Sequence, residues 1–414
     1  MCTKKNNTVA YRRAILIAML AYLIMVIVGM STTTTTSRIF IEPIRLFSAM
    51  VLMVALGQLF FNAKNLKYQR NILLTCLAFG LYGVFLQLVY QGHLANVENS
   101  FYNLMVISIG AVVFGFSSMN GSFERLGKYL VIFIFLITIL SLLVGGLVLE
   151  IPPRFNLEYL SDGNREEIYS LGLSQFFGIG AVVSAFLAAR VQSGLQISAN
   201  LGAWTLYILL SLLGGGRGDS ILAVLISLLI IFRRFPFGCL LGLGGILVTA
   251  WYINIDLDVL DKLVLYQRLV AGGGDLGDRD VLLLQAFNLL EEQPLCILTG
   301  CGFSFFQYFY NNDLGMYPHN FIIEMVITLG LPATILILAG AMLGVKKEFQ
   351  FFGGMTIVMM IFFYCLLVGL KSQSLLTNWL LTAGILHYFS TGILNKIPII
   401  FPNVATLGCR SIQR

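Results

Sequence analysis

This sequence is poor in charge. Only 11% of its 414 residues are charged, against roughly 25% in a soluble globular chain, while 58% are hydrophobic and mean hydropathy is +0.86. That composition excludes a water-soluble domain, so the length has to be divided into bilayer spans. The seven cysteines are scattered, mostly within apolar runs, and lack any metal-ligand spacing. Asp275, Asp278 and Asp280 are close together, but the longer ligand pattern of a calcium loop is missing, and no metal is expected. The N-terminal run Ala14–Met30 lacks a small-residue cleavage site before STTTTTS, which makes it a retained first helix rather than a signal peptide. Two matching halves, the internal symmetry of many transporters, are also missing.

What is present is a series of apolar runs. Twelve are expected to span the bilayer. The first six are Ala14–Met30, Leu46–Phe61, Ile72–Tyr90, Phe101–Phe116, Tyr129–Leu149 and Leu171–Ala189. The remaining six are Ala199–Leu213, Ser220–Phe232, Phe237–Ile253, Phe321–Val345, Phe352–Leu370 and Leu375–Leu394. With both termini in the cytoplasm, 17 of the 26 basic residues fall on the cytoplasmic side, as the positive-inside rule requires. Of the 20 acids only Glu124 and Glu348 fall on that side. The net charge of +6 is therefore a statement about topology, and no nucleic-acid partner is expected. Residues 1–414 read as a single transmembrane domain of the all-α class, interrupted by one large loop, 254–320, outside the cytoplasm.

That loop gathers the residues that can do chemistry. Arg279 follows Asp278, a good N-cap, and opens an amphipathic helix whose apolar positions are Val281, Leu284, Phe287 and Leu290. A cation in a first turn opposes the helix dipole, so either an anionic ligand or an ion pair with Asp275 or Asp280 must account for it. Arg268 is a second basic group or one half of a structural pair. Arg217, in the turn GGGRGDS between two spans, suits an anion site built from glycine backbone and a bidentate guanidinium, or else pairs with Asp219. His319 precedes the span that begins NFIIEMV. Imidazolium is disfavoured at a helix N-terminus, so a neutral ring able to accept a proton fits there, as does an interfacial histidine bonded to nearby backbone. Glu324 lies one turn into that span, where an acid is functional by default. His93 and His387 have no sequence companions. Cys296 and Cys301 share the loop and either pair in an oxidising compartment or stay free.

A compartment outside the cytoplasm holds no nucleotide-activated substrates, so an activated donor has to arrive with the membrane lipid. Arginines match a departing diphosphate, and a neutral histidine matches a base for an attacking hydroxyl. Together these residues point to glycosyl transfer from a polyprenyl-diphosphate sugar.

Three stretches carry a family likeness: the outer turn with Arg217, the run LGDRDVLLLQAFNLLEEQPL followed by GCGF, and PHNFIIEMVITLGLPA. The last contains His319, Asn320 and, nine residues later, Gly330. On these motifs and the span layout the chain resembles the bacterial O-antigen polymerase and O-antigen ligase superfamily. The resemblance implies a GT-C-like membrane fold and inverting, metal-independent transfer without a cofactor. It implies His319 as base and Arg217 and Arg279 on the diphosphate; Arg268, Asn320 and Glu324 are expected to take part in substrate binding. It further implies an undecaprenyl-diphosphate-linked glycan and membrane lipid as partners, a chain-length regulator protein as another, and the bacterial inner membrane as location. Ala333 stands where the ligase pattern has Gly, Thr or Tyr, and the Pro-His-Asn start leans the same way, toward a polymerase. A polymerase spacing of arginine, ten residues and glycine is missing from the outer loops. A ligase acting on lipid A–core is the alternative, and a lipid-sugar transporter or flippase a third reading. Single cysteines introduced at positions 275–315 are expected to react with a membrane-impermeant thiol reagent from outside, and those at 346–350 only after permeabilisation. Reversed labelling would defeat this orientation.

Overall fold

A computed structural model describes residues 11, 13–25, 35–62, 66–92, 97–118, 127–136, 147–149, 155–157, 171–213, 217–236, 279–312, 316–372 and 374–394. Regular structure among them is helical apart from one short hairpin. The first helices are α1 Arg13–Met25, α2 Thr35–Asn62, α3 Leu66–Gln91, α4 Val97–Ser118 and α5 Gly127–Leu136. Strands β1 Leu147–Leu149 and β2 Phe155–Leu157 pair antiparallel. Then come α6 Leu171–Arg190, α7 Gly194–Leu213, α8 Arg217–Arg234, α9 Arg279–Glu292, α10 Pro294–Thr299 and α11 Phe305–Tyr310. The chain closes with α12 Phe321–Leu329, α13 Leu331–Phe352, α14 Ile357–Ser372 and α15 Trp379–Ile393.

Among the described residues three helices, Leu66–Gln91, Ser100–Ser118 and Gly194–Leu212, are long and apolar enough to cross a membrane. On α3 the apolar residues occupy both faces. Ile72, Cys76, Phe79 and Leu86 are buried, while Leu73, Leu77, Leu81 and Phe85 are exposed. A helix that is greasy all round, with one side packed on protein, has its other side in lipid. This is a membrane-associated chain.

Helix occurs within eleven of the twelve expected spans, and the ninth, Phe237–Ile253, lies outside the described residues. Two expectations are corrected. The fifth span does not run as helix to Leu149, because Leu147–Leu149 is a strand paired with Phe155–Leu157, after a Gly-Gly pair that disfavours helix. The tenth, Phe321–Val345, is broken at Gly330, whose φ of +83° leaves the helical region, with Pro at the start of α13. The nine residues of α12 reach only about 14 Å, too short to cross a bilayer.

The chain divides into two compact units. The second, Ile27–Phe47 with Glu124–Leu276, packs α6 against α7 and α8. Ser211 on α7 joins the three, donating to the Ser174 carbonyl at 2.9 Å and receiving a bond on its own carbonyl from Ser220 at 2.6 Å. Buried hydroxyls thus satisfy helix carbonyls next to the start of α8.

The first unit is Met1–Val26, Ser48–Phe123 and Gly277–Arg414. Its α13 and α15 cross closely through small residues, the backbone of Tyr388 resting on Gly344 and that of Gly340 on Gly392. Its most constrained point is a glycine junction. Gly300 and Gly302, at φ +79° and +88°, enter between the end of α12 and the side of α3. The Cys301 and Gly302 amides donate to the Ile327 and Thr328 carbonyls at 2.7 and 3.0 Å, occupying two of the orphan acceptors that a helix end leaves. A Cβ on Gly330 would lie 2.6 Å from the Leu298 carbonyl oxygen.

Gly330→Ala is therefore expected to lower the melting temperature of the solubilised protein by more than Gly353→Ala does. Gly353 also has positive φ, but a Cβ there meets nothing within 4 Å, so only the left-handed backbone term of about 1–2 kcal/mol applies. Equal shifts would mean that the junction tolerates a side chain.

Candidate functional site

The described part of the large loop folds on the end of α3. Proline at the first position starts α10, as suits a residue without an N–H. Leu282, Ala286 and Leu289 of α9 pack with Cys296, Cys301, Phe305, Phe306 and Ile327 in one buried cluster. This corrects the expected apolar face of α9. Val281, Leu284 and Phe287 are exposed, Leu290 is partly buried against the cluster, and the buried stripe is Leu282, Ala286 and Leu289. Cys296 and Cys301 form a disulfide with Cα atoms 5.0 Å apart, settling the alternative the sequence left open. The loop also clasps α3 through polar bonds. Tyr82 donates to the Thr299 carbonyl at 2.6 Å and Gln91 to the Phe303 carbonyl at 2.8 Å. Tyr310 donates to the Gln285 carbonyl at 2.8 Å, and burial pushes its phenol above the ordinary value, with the Glu292 charge acting in the same direction.

That cradle positions the start of α12. His319 is half-buried between buried Pro318 and Asn320, in the left-handed region at φ +54°. Its ring centroid lies 4.3 Å from that of Tyr317. A non-glycine residue held there carries strain of the kind that collects at functional sites. Asn320 is the N-cap. Its Oδ1 accepts from the Ile322 and Ile323 amides at 3.0 and 3.2 Å, and its Nδ2 donates to the Leu370 carbonyl at 3.1 Å. Glu324 is engaged at both oxygens, by Ser374 Oγ at 2.8 Å and the Leu375 amide at 2.9 Å. Asn320 and Glu324 therefore act as braces. They tie α12 to the α14–α15 turn and fix the residue just before the cap, His319.

Arg279 is half-buried and heads α9, as expected, with exposed Asp280 beside it in the first turn. Arg217 heads α8 in the second unit, two residues before buried Asp219. Arg268 lies outside the described residues. The structure thus brings together His319, Asn320 and Glu324, and it joins the motif glycines 300, 302 and 330 in one contact.

Sequence reasoning missed His387. It is fully buried with its Nε2 3.7 Å from Glu348 Oε2. The available signal was Glu348 itself, one of only two acids expected on the cytoplasmic side. Among the described residues no group of three His, Cys, Asp or Glu side chains is arranged to hold a metal. Compared with protein families and with curated proteins, the chain finds no match.

Two substitutions separate bracing from chemistry. Glu324→Gln keeps one acceptor and strands the other donor, so a stability loss of about 1–3 kcal/mol is expected in thermal unfolding. His319→Gly relieves the left-handed backbone and is expected to leave the melting point unchanged or raise it by about 1 kcal/mol equivalent. A large destabilisation by His319→Gly would make the imidazole a packing element.

Proposed function

We propose that the chain transfers a glycan from a polyprenyl-diphosphate carrier to a hydroxyl of a lipid-linked acceptor, on the side of the membrane away from the cytoplasm. The observation that carries the reading is His319, strained and half-buried at the mouth of α12, on a support where the two family-like motifs pack against each other. The Cys296–Cys301 disulfide supports an oxidising compartment for the loop, the side on which a lipid-linked donor is the available activated sugar.

In the proposed reaction the His319 imidazole takes the proton of the acceptor hydroxyl. That oxygen attacks the anomeric carbon from the face opposite the diphosphate, inverting the centre. The bond from carbon to the diphosphate oxygen breaks, and the leaving group departs with the electron pair. Arg217 and Arg279, each opening a helix, neutralise its charge, with the helix N-termini adding fixed positive potential. Extension of a lipid-linked repeat unit, a polymerase reaction, is favoured over transfer to lipid A–core. Ala333, in the first turn of α13 just past the Gly330 break, departs from the ligase pattern.

A transporter or flippase is the second reading. Two observations favour it: the helix break at Gly330, and the buried carboxyl–imidazole pair Glu348–His387, which the transfer reaction does not use.

The test is extension of a lipid-linked glycan by purified protein in lipid nanodiscs. Arg217→Ala and Arg279→Ala are each expected to lose about 10²–10³-fold in rate, with Arg→Lys recovering only part of it. His319→Ala should lose about 10²–10⁴-fold while still binding the donor, and EDTA should have no effect. Labelled substrate crossing a vesicle membrane with no new glycosidic bond would replace this reading with the transporter.

A further inference from the structure

The first unit seals a carboxyl–imidazole pair in its interior, away from the residues at the start of α12. Glu348 on α13 is 1% exposed and His387 on α15 is 0% exposed. Nε2 of His387 lies 3.7 Å from Oε2 of Glu348 and 3.1 Å from Ser118 Oγ at the end of α4. Thr356, just before α14, donates to Glu348 Oε1 at 3.1 Å. Phe114 of α4 stacks on the imidazole, with centroids 6.3 Å apart and planes 23° apart. The hydroxyl of Tyr68 on α3 bonds Thr391, which in turn donates to the His387 carbonyl.

Among the described residues the charged and titratable groups around the pair are few. Tyr68 on α3 and Tyr388 on α15 are within electrostatic reach of Glu348, whereas α4 and Thr356 present only hydroxyls. Lys347 precedes Glu348 on α13, and its Nζ donates to the Gly392 and Thr391 carbonyls at 2.6 and 3.3 Å, at the end of α15. The Nδ1 of His387 is buried and meets no hydrogen-bond partner among the described residues. No third metal-ligating side chain stands with the pair among them.

A lone carboxylate or a lone imidazolium in such packing carries a desolvation penalty of several kcal/mol. With one proton between them the two groups are neutral overall, either as an ion pair or as two uncharged groups. With none, or with two, a net charge is left sealed in the interior. We propose that Glu348 and His387 form a buried proton-binding site that holds one proton and clamps α13 to α15 while it does so. The clamp has a route to the other end of the unit. On α15, Thr382, five residues before His387 and about 8 Å away along the axis, bonds the Leu375 carbonyl in the turn that also holds Glu324.

The test is a proton inventory of the full chain in lipid nanodiscs at neutral pH. Histidine ¹⁵N NMR is combined with infrared spectroscopy of the carboxyl groups, in potassium and in sodium buffer. The chain has three histidines, so replacing His93 and His319 isolates the His387 signal without altering the pair. The expected result is one proton, read as an imidazolium resonance with an ionised carboxylate or as a neutral imidazole with a carboxylic-acid band. Glu348→Gln should leave the imidazole neutral, and His387→Gln should leave a carboxylic-acid band, with no change between the buffers. A bare carboxylate beside a neutral imidazole, or two protons on the pair, overturns the proposal. Signals that shift only in sodium also overturn it, and assign the pair to a metal cation.

Discussion

The first unit depends on one close approach of backbone to backbone. Gly300 and Gly302 lie against the end of α12 and the Gln87 backbone of α3 so tightly that a Cβ on either would sit within 2.6 Å of main-chain atoms. Only residues without a side chain permit that distance, and only glycine takes those φ values readily. The approach brings two loop amides onto the α12 carbonyls and so supplies donors to the helix end. The disulfide and the aromatic cluster of α11 sit directly on this contact, as do the tyrosine and glutamine bonds from α3. Without it the loop loses its seat, and α12 its fixed end.

From that seat the polar groups around α12 are satisfied in turn. Asn320 caps the helix start and reaches across to the Leu370 carbonyl, while Glu324 secures Ser374 and Leu375. The cap occupies two amides that the start of α12 leaves free, and Glu324, buried in part with its partners, occupies the Leu375 amide and the Ser374 hydroxyl. The residue between cap and loop, His319, sits in the left-handed region directly before this braced helix start.

Much of this was legible in the sequence, for identifiable reasons. The spans follow from runs of apolar residues, a signal strong enough to place helix in eleven of twelve positions. Helix runs from Arg279 onward, where the amphipathic run was expected to form one, while the expected cap Asp278 lies outside the described residues. The buried face of α9 was misread because nearly every position from 281 to 290 is apolar, so periodicity cannot tell which stripe meets the core. The break at Gly330 was hidden for a related reason. One glycine in a hydrophobic run costs a helix only about 1 kcal/mol, and the loop backbone packed against it decides that the helix ends there. Glu348 and His387 stand 39 positions apart, on helices whose crossing no local pattern encodes. The roles of Asn320 and Glu324 were half legible, since their places at a helix start were clear and their partners, some 50 residues away, were not.

The acid distribution adds a constraint on the proposed chemistry. On the proposed orientation 18 of the 20 acids lie on the side where a diphosphate would have to dock. A diphosphate approaching that surface is repelled unless local positive potential outweighs the general field. Arg217 and Arg279 are both first residues of helices, where the backbone amides add positive potential. A cation in that position is unfavourable to its own helix, and an anion bound there removes the conflict. On the proposed reading, each of these helix starts taken by itself would be stabilised by a bound anionic group.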